Sequence, residues 1–145
     1  SFRLIVCGPQ FRKVPPVFAD IQRDFSSELI HFGFADVDKY AGFLQQADIV
    51  LSTADHEFFG VAVCEAIAAG CYPILPARLS YPELIGSLEP RSHLYDSDQE
   101  LHELLSEVCT DRDRLAAYRP AEFRYRWNYC IDGFDQGFLR VAGRV

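Results

Sequence analysis

The 145 residues hold no apolar run near the ~20 that a membrane-spanning helix needs, and no signal-peptide pattern opens them. Basic residues are scarce, 14 against 21 acids, and the formal net charge is −7. That balance argues against a domain that wraps a polyphosphate backbone, because such binding is driven by counterion release at clustered Lys and Arg. Paired cysteines are missing. Cys7, Cys64, Cys71, Cys109 and Cys130 are odd in number and never stand as C-x-x-C. Cys7 and Cys64 lie inside apolar runs, where a free thiol behaves as a small hydrophobe. The pattern suits a reducing, cytoplasmic compartment better than a disulfide framework or a zinc site. His31, His56, His93 and His102 show no ligand spacing, so no metal is expected. There is no G-x-S-x-G to support a serine hydrolase, and no G-x-G-x-x-G after the first strand to support a dinucleotide oxidoreductase. Internal repeats and low-complexity stretches are absent as well.

What is present is enough for a real core. Apolar residues make up 49% of the chain and aromatics 14%, which fits one globular domain over residues 1–145. The basic residues are unevenly placed: seven of the fourteen fall between Arg112 and Arg144, against four acids. A solvated helical tail is the preferred account of that cluster, and contact with a partner domain or an anionic acceptor is the other. Ser1 leads straight into a strand-like run with no starting Met, and the chain is read as an excised fragment.

Short apolar runs alternate with helical ones. Phe2–Cys7 is a strand stopped by Gly8-Pro9. Pro15 and Pro16 precede a helix in which Val17, Ile21 and Phe25 recur at a spacing of four. Leu29–Phe34 is a second strand, Asp36 to Asp38 offers an N-cap, and a helix runs through Tyr40, Phe43, Leu44 and Ala47. Asp48–Thr53 is a third strand. After a loop, Val61–Ala69 is a buried helix closed by Gly70, followed by strand Tyr72–Pro76. The segment Ala77–Pro90 carries loop signals, and His93–Tyr95 is a short fifth strand. Asp98 caps a helix striped by Leu101, Leu104, Leu105 and Val108, Arg112–Arg119 forms a short helix, and residues 120–145 end the chain with a helix at Trp127–Val141. Strand and helix in alternation imply right-handed crossovers and a doubly wound, Rossmann-like, mostly parallel α/β sheet, with ligands at the carboxyl ends of its strands.

Glu65 is the oddest residue. It stands among nine otherwise apolar positions, so its helix is expected to be buried nearly all round, and a buried carboxylate is retained only with a partner. A bond to neighbouring backbone is the bland account. A carboxylate that accepts ligand hydroxyls near the positive end of the helix dipole is the functional one. Glu57 lies eight residues earlier, and between the two comes Phe58-Phe59-Gly60-Val61, a glycine at a helix mouth where free N–H groups bind phosphate readily. Amides for phosphate and carboxylates for hydroxyls are the layout for a sugar attached to a nucleotide.

The segment HEFFGVAVCEAIAAGCYPILP, His56–Pro76, resembles the E-x7-E signature of the group-one family of retaining glycosyltransferases with the GT-B fold. The order of elements is similar to that family's C-terminal half from Phe2 to about Thr110. The resemblance implies that Glu57 is catalytic in contacting donor-sugar hydroxyls and that Glu65 takes the ribose. It also implies that the backbone at Phe59, Gly60 and Val61 holds the diphosphate and sugar, and that Gly8, Phe34 and Ala35 lie close to the base. His56 either orients the sugar or lines the loop. Gly70-Cys71-Tyr72-Pro73 replaces the family's usual Gly-x-Pro, and Ser80-Tyr81-Pro82-Glu83 replaces its glycine pair before a glutamate. Both departures are similar to the subgroup of tRNA-queuosine mannosyltransferases and their glycosyltransferase-like relatives.

That subgroup implies GDP-mannose as donor and queuosine-modified tRNA as acceptor, with no cofactor, no metal, and an acceptor domain supplied from an absent N-terminal half. The family's diphosphate-neutralising Arg and Lys come from before Phe2, and Arg12-Lys13 follows the wrong strand to replace them. Asp36-Val37-Asp38 spells a metal-binding D-x-D but sits before a helix, where N-capping accounts for it better. Glu83 is a loop carboxylate by family position or a helix cap. Two other readings stay open: a GT-B enzyme of another reaction, such as an epimerase or a phosphorylase, and a non-catalytic Rossmann-like binding module.

Overall fold

Alternating β-branched runs and helical stripes produce, in the computed structural model, strands that pair only in parallel among the described residues. These are residues 2–8, 14–86 and 92–118. The helix expected at Trp127–Val141, the pair Arg12-Lys13 and the basic residues from Arg119 onward lie outside them. The chain divides into two compact units, Ser1–Gln46 and Ala47–Val145.

The first unit is a strand–helix–strand–helix series: β1 (Leu4–Cys7), α1 (Val17–Asp24), β2 (Leu29–Gly33) and α2 (Val37–Gln46). β1 and β2 pair in parallel, with an irregularity between Leu4 and Ile5. The Phe18 ring meets Phe32 edge-on at 6.1 Å, and His31 lies 4.8 Å from buried Phe43. His31 Nε2 is 3.2 Å from the Gly33 carbonyl, so this strand histidine is satisfied inside its own unit. Asp36 does cap α2, its Oδ1 accepting from the Lys39 N–H at 2.8 Å, and that bond accounts for the first acid of the D-x-D pattern.

The second unit holds β3 (Ile49–Leu51), α3 (Val61–Ala69), β4 (Tyr72–Pro76), α4 (Tyr81–Ile85), β5 (Leu94–Tyr95), α5 (Asp98–Thr110) and α6 (Arg112–Ala117). Its sheet runs β3-β4-β5, and every residue of the central strand is buried. Side chains alternate along a strand, and here the alternation feeds two cores. Leu75 packs with Val63, Ile67, Tyr81, Leu84 and Ile85 from α3 and α4. Tyr72 and Ile74 pack with Leu104 and Val108 of α5 and with Tyr95. Helices therefore cover both faces, which makes this an α/β, Rossmann-like layer. No helix among the described residues is long and apolar enough to cross a membrane.

Two prolines sit in that central strand, where a missing N–H would ordinarily break a ladder. Pro73 faces the β5 side before β5 begins, and its carbonyl is 3.0 Å from His93 Nδ1. Pro76 falls on the β3 side. The ladder there runs Tyr72 N–H to Asp48 O and Ser52 N–H to Ile74 O, so the next donor to the Ser52 carbonyl would be residue 76. Proline has none to give. The Tyr95 hydroxyl donates to that carbonyl at 2.8 Å instead.

Three expectations need correction. Ser97, one residue before Asp98, caps α5 by accepting from the Glu100 N–H, because the extended backbone falls at Ser97. The loop expected over Ala77–Pro90 contains α4, which forms because Tyr81, Leu84 and Ile85 share a buried face. Helix α3 is not buried all round. Val63, Ala66 and Ile67 face the core, while Glu65 is exposed together with Val61, Ala62, Ala68 and Ala69. Alanine counts as apolar in composition but has little surface that needs hiding, so an alanine-rich face can stay open.

α6 is fastened to the start of β4 by Arg114, whose Nε donates to the Tyr72 hydroxyl at 2.9 Å while Nη1 meets Glu107 at 2.7 Å. Tyr118 packs on the Tyr72 ring, and burial, with Tyr72 and Cys71 adding to it, pushes its phenol from 10.0 up to about 12. The unfolded phenol ionises first, so this contribution to stability is full below pH 10 and lost as the pH rises to about 12. Tyr118→Phe is expected to flatten the loss of melting temperature across that window. Tyr95→Phe leaves the Ser52 carbonyl without its donor and is expected to destabilise by about 1–3 kcal/mol, measured by urea unfolding.

Candidate functional site

Because Pro76 ends the β3–β4 ladder, the chain after Ser52 leaves the sheet at its carboxyl edge as a loop reaching Gly60. Both ends of this loop are held. At its start the Ser52 hydroxyl and the buried Tyr81 hydroxyl are 2.8 Å apart, and the Ala54 N–H donates to Ser52 Oγ. Arg78 reaches the same region, donating from Nε to the Ala54 carbonyl at 3.3 Å and from Nη2 to Asp55 at 2.9 Å. At its end Gly60 is buried with φ +80°, the left-handed conformation that glycine adopts freely. A Cβ there would stand 3.2 Å from Cε1 of Tyr81 and 3.6 Å from Leu84.

Glu57 is exposed, yet its carboxylate is not loose. Oε1 accepts from the N–H groups of Phe58 at 2.9 Å and Phe59 at 3.3 Å. Oε2 carries no hydrogen bond among the described residues. One oxygen tethered and one open is an oriented acceptor, suited to neutral hydroxyls and repellent to phosphate placed directly against it. The Phe59 amide, expected to face diphosphate, is engaged by Glu57. Gly60 and Val61 remain as the amides at the mouth of α3, whose N-terminus has no side-chain cap. Glu65, on the exposed face of α3 about one turn in, lies near the positive end of the helix dipole.

His56 is exposed in the same loop, as are Phe58 and Phe59, and Val61 is exposed at the first position of α3. Glu83 is exposed in the first turn of α4. In the first unit, Gly8 donates its N–H to the Gly33 carbonyl at 3.0 Å, which puts Gly8 at the carboxyl ends of β1 and β2. Exposed Phe34 and half-buried Ala35 follow β2 directly. Gly8, Phe34 and Ala35 thus stand at or just beyond the carboxyl ends of β1 and β2, His56 to Gly60 lie in the loop after β3, Val61 and Glu65 are on α3, and Glu83 is on α4.

Sequence reasoning missed Ser52, Arg78, Tyr81 and Tyr95. The signal that could have found one of them is Pro76 itself: a proline in a buried strand leaves a carbonyl that needs another donor. Burial pushes the Tyr95 phenol up, while the charge of Arg78 pulls it back, so these two groups sense each other at this edge. No group of three His, Cys, Asp or Glu side chains is arranged for a metal among the described residues. Gly60→Ala forces both a left-handed φ and a close approach to Tyr81, and is expected to destabilise by roughly 1–3 kcal/mol in urea unfolding.

Comparison with known proteins identifies the family. A tRNA-queuosine alpha-mannosyltransferase of Drosophila melanogaster is 42% identical over 135 residues, which is 93% of this chain. The chain spans about a third of that relative's length (34%). The family model for glycosyl transferases group 1 matches residues 1–124. With that match and its parallel α/β layer, the chain belongs to the group 1 glycosyl transferases.

Proposed function

We propose that the chain is the donor-binding half of a retaining, metal-independent glycosyltransferase that moves mannose from GDP-mannose to a queuosine-modified tRNA in the cytoplasm. The observation that carries this reading is the Glu57 carboxylate, tethered on one oxygen beside the α3 mouth, in a chain 42% identical to a tRNA-queuosine mannosyltransferase. In this reading Oε2 of Glu57 accepts donor-sugar hydroxyls, Glu65 takes the ribose hydroxyls, and the Gly60 and Val61 amides lie toward the diphosphate. His56 flanks the sugar, and Gly8, Phe34 and Ala35 line the base. The chemistry asks the protein to position the donor and stabilise the departing diphosphate, and electrostatic stabilisation of that kind is usually the largest catalytic contribution. The acceptor is held by a partner domain of the same protein.

Ligand-observed NMR with GDP-mannose, GDP, UDP-glucose and NAD tests the donor. Selective signal from GDP-mannose is expected. Glu57→Gln and Glu65→Ala are each expected to weaken its binding by roughly 1–3 kcal/mol, the range for a hydrogen bond to a charged group. Equal response to NAD and GDP-mannose, or full affinity in both variants, would remove the donor assignment.

A further inference from the structure

Arg78 is the one Lys or Arg among the described residues from Ala47 to Asp111, in a chain with a net charge of −7. A lone cation on a surface with solvent available has no need of a fixed partner, yet Arg78 makes two hydrogen bonds to the β3–α3 loop. Three residues later Tyr81 packs beneath Gly60, at the loop's other end. Between them Leu79 takes φ +62°, a left-handed conformation that a leucine adopts only against strain, although the residue is 44% exposed and gains little from burial. The turn at Leu79 is what brings both neighbours to the same loop. Asp55, the acid that receives Arg78, lies two residues before Glu57.

We infer that residues 78–81 form a strap that fixes the loop carrying Glu57, and that Arg78 is a positioning residue acting through Asp55 and the Ala54 carbonyl. This rests on the reading of that loop as the donor loop. The strap sets where Oε2 of Glu57 and the Gly60 amide stand before the sugar arrives, so loosening it lowers donor affinity without unfolding the unit. The Arg78–Asp55 pair is too exposed, at 45% and 85%, to matter much to global stability.

The test uses the whole protein that contains this chain. Arg78→Ala and Asp55→Ala are each expected to raise KM for GDP-mannose roughly tenfold or more, with a smaller effect on kcat. The double variant is expected to be no worse than the poorer single one, because both substitutions remove the same contact. Melting temperature is expected to stay within about 3 °C of the parent. Arg78→Lys is expected to remain close to the alanine variant, since a single ammonium cannot make the guanidinium's two directed bonds. Amide hydrogen exchange of residues 54–60, measured without donor, is expected to accelerate in both variants.

A rise in KM for Arg78→Ala with none for Asp55→Ala would overturn the strap in favour of direct contact between Arg78 and a phosphate. Unchanged KM and unchanged exchange in both variants would reduce the pair to a solvated surface contact. A melting temperature that falls as KM rises would make the role a structural one only. Faster exchange in a protein whose parent binds no nucleotide sugar would uphold the strap and remove the donor reading.

Discussion

Pro76 has no N–H to donate, and the geometry of the candidate site follows from that one missing hydrogen bond. A residue with an N–H at this position would extend the β3–β4 ladder past Ser52 and hold the following residues flat in the sheet. With proline there, the Ser52 carbonyl turns to the Tyr95 hydroxyl, the Ser52 side chain to Tyr81, and the chain after it is free to form a loop. Polar groups at a buried edge must find partners, so the two tyrosines are drawn from α4 and β5 to the same spot. The loop is irregular in outline but determined in position.

Within the loop, charge is distributed with some economy. One oxygen of Glu57 accepts from the Phe58 and Phe59 amides, and two N–H groups that would otherwise attract an anion are thereby neutralised. The uncapped start of α3 keeps its amides. A ligand with a neutral, hydroxyl-rich end and an anionic end matches that division, and a bare phosphate or a bare sugar would match only half of it. Asp55 and Arg78 cancel one another nearby, so the loop's field comes mainly from Glu57 and the helix mouth.

Much of this architecture was legible in the residues. Parallel strands, their order along the chain, the Gly60 and Gly70 boundaries of α3 and the Asp36 cap all follow from local rules, because caps and turns depend on neighbours within a few positions. Glu65 was misjudged for a physical reason. Alanine-rich sequence reports low polarity, whereas burial depends on what packs against each face, and Ala62, Ala68 and Ala69 face nothing among the described residues that buries them. The Ser52–Tyr81 and Ser52–Tyr95 contacts span 29 and 43 positions, beyond the reach of any spacing rule. Leu79 gives no sign in sequence that it turns left-handed, since nothing about a leucine announces it.

The Tyr95–Ser52 bond also sets an order on maturation. Ser52 is synthesised 43 residues before the hydroxyl that satisfies its carbonyl, and β5 is only two residues long, too short to hold its place without α5 packed behind it. A nascent chain emerging residue by residue therefore carries the site-bearing loop, with its two hydrophobic phenylalanines exposed, well before the contact that anchors it can form. Long-range closures of this kind are slow compared with local helix formation. The Tyr95 contact therefore has to wait until both β5 and α5 have been made, and the loop's anchor at the Ser52 carbonyl is complete only when the far edge of the sheet is.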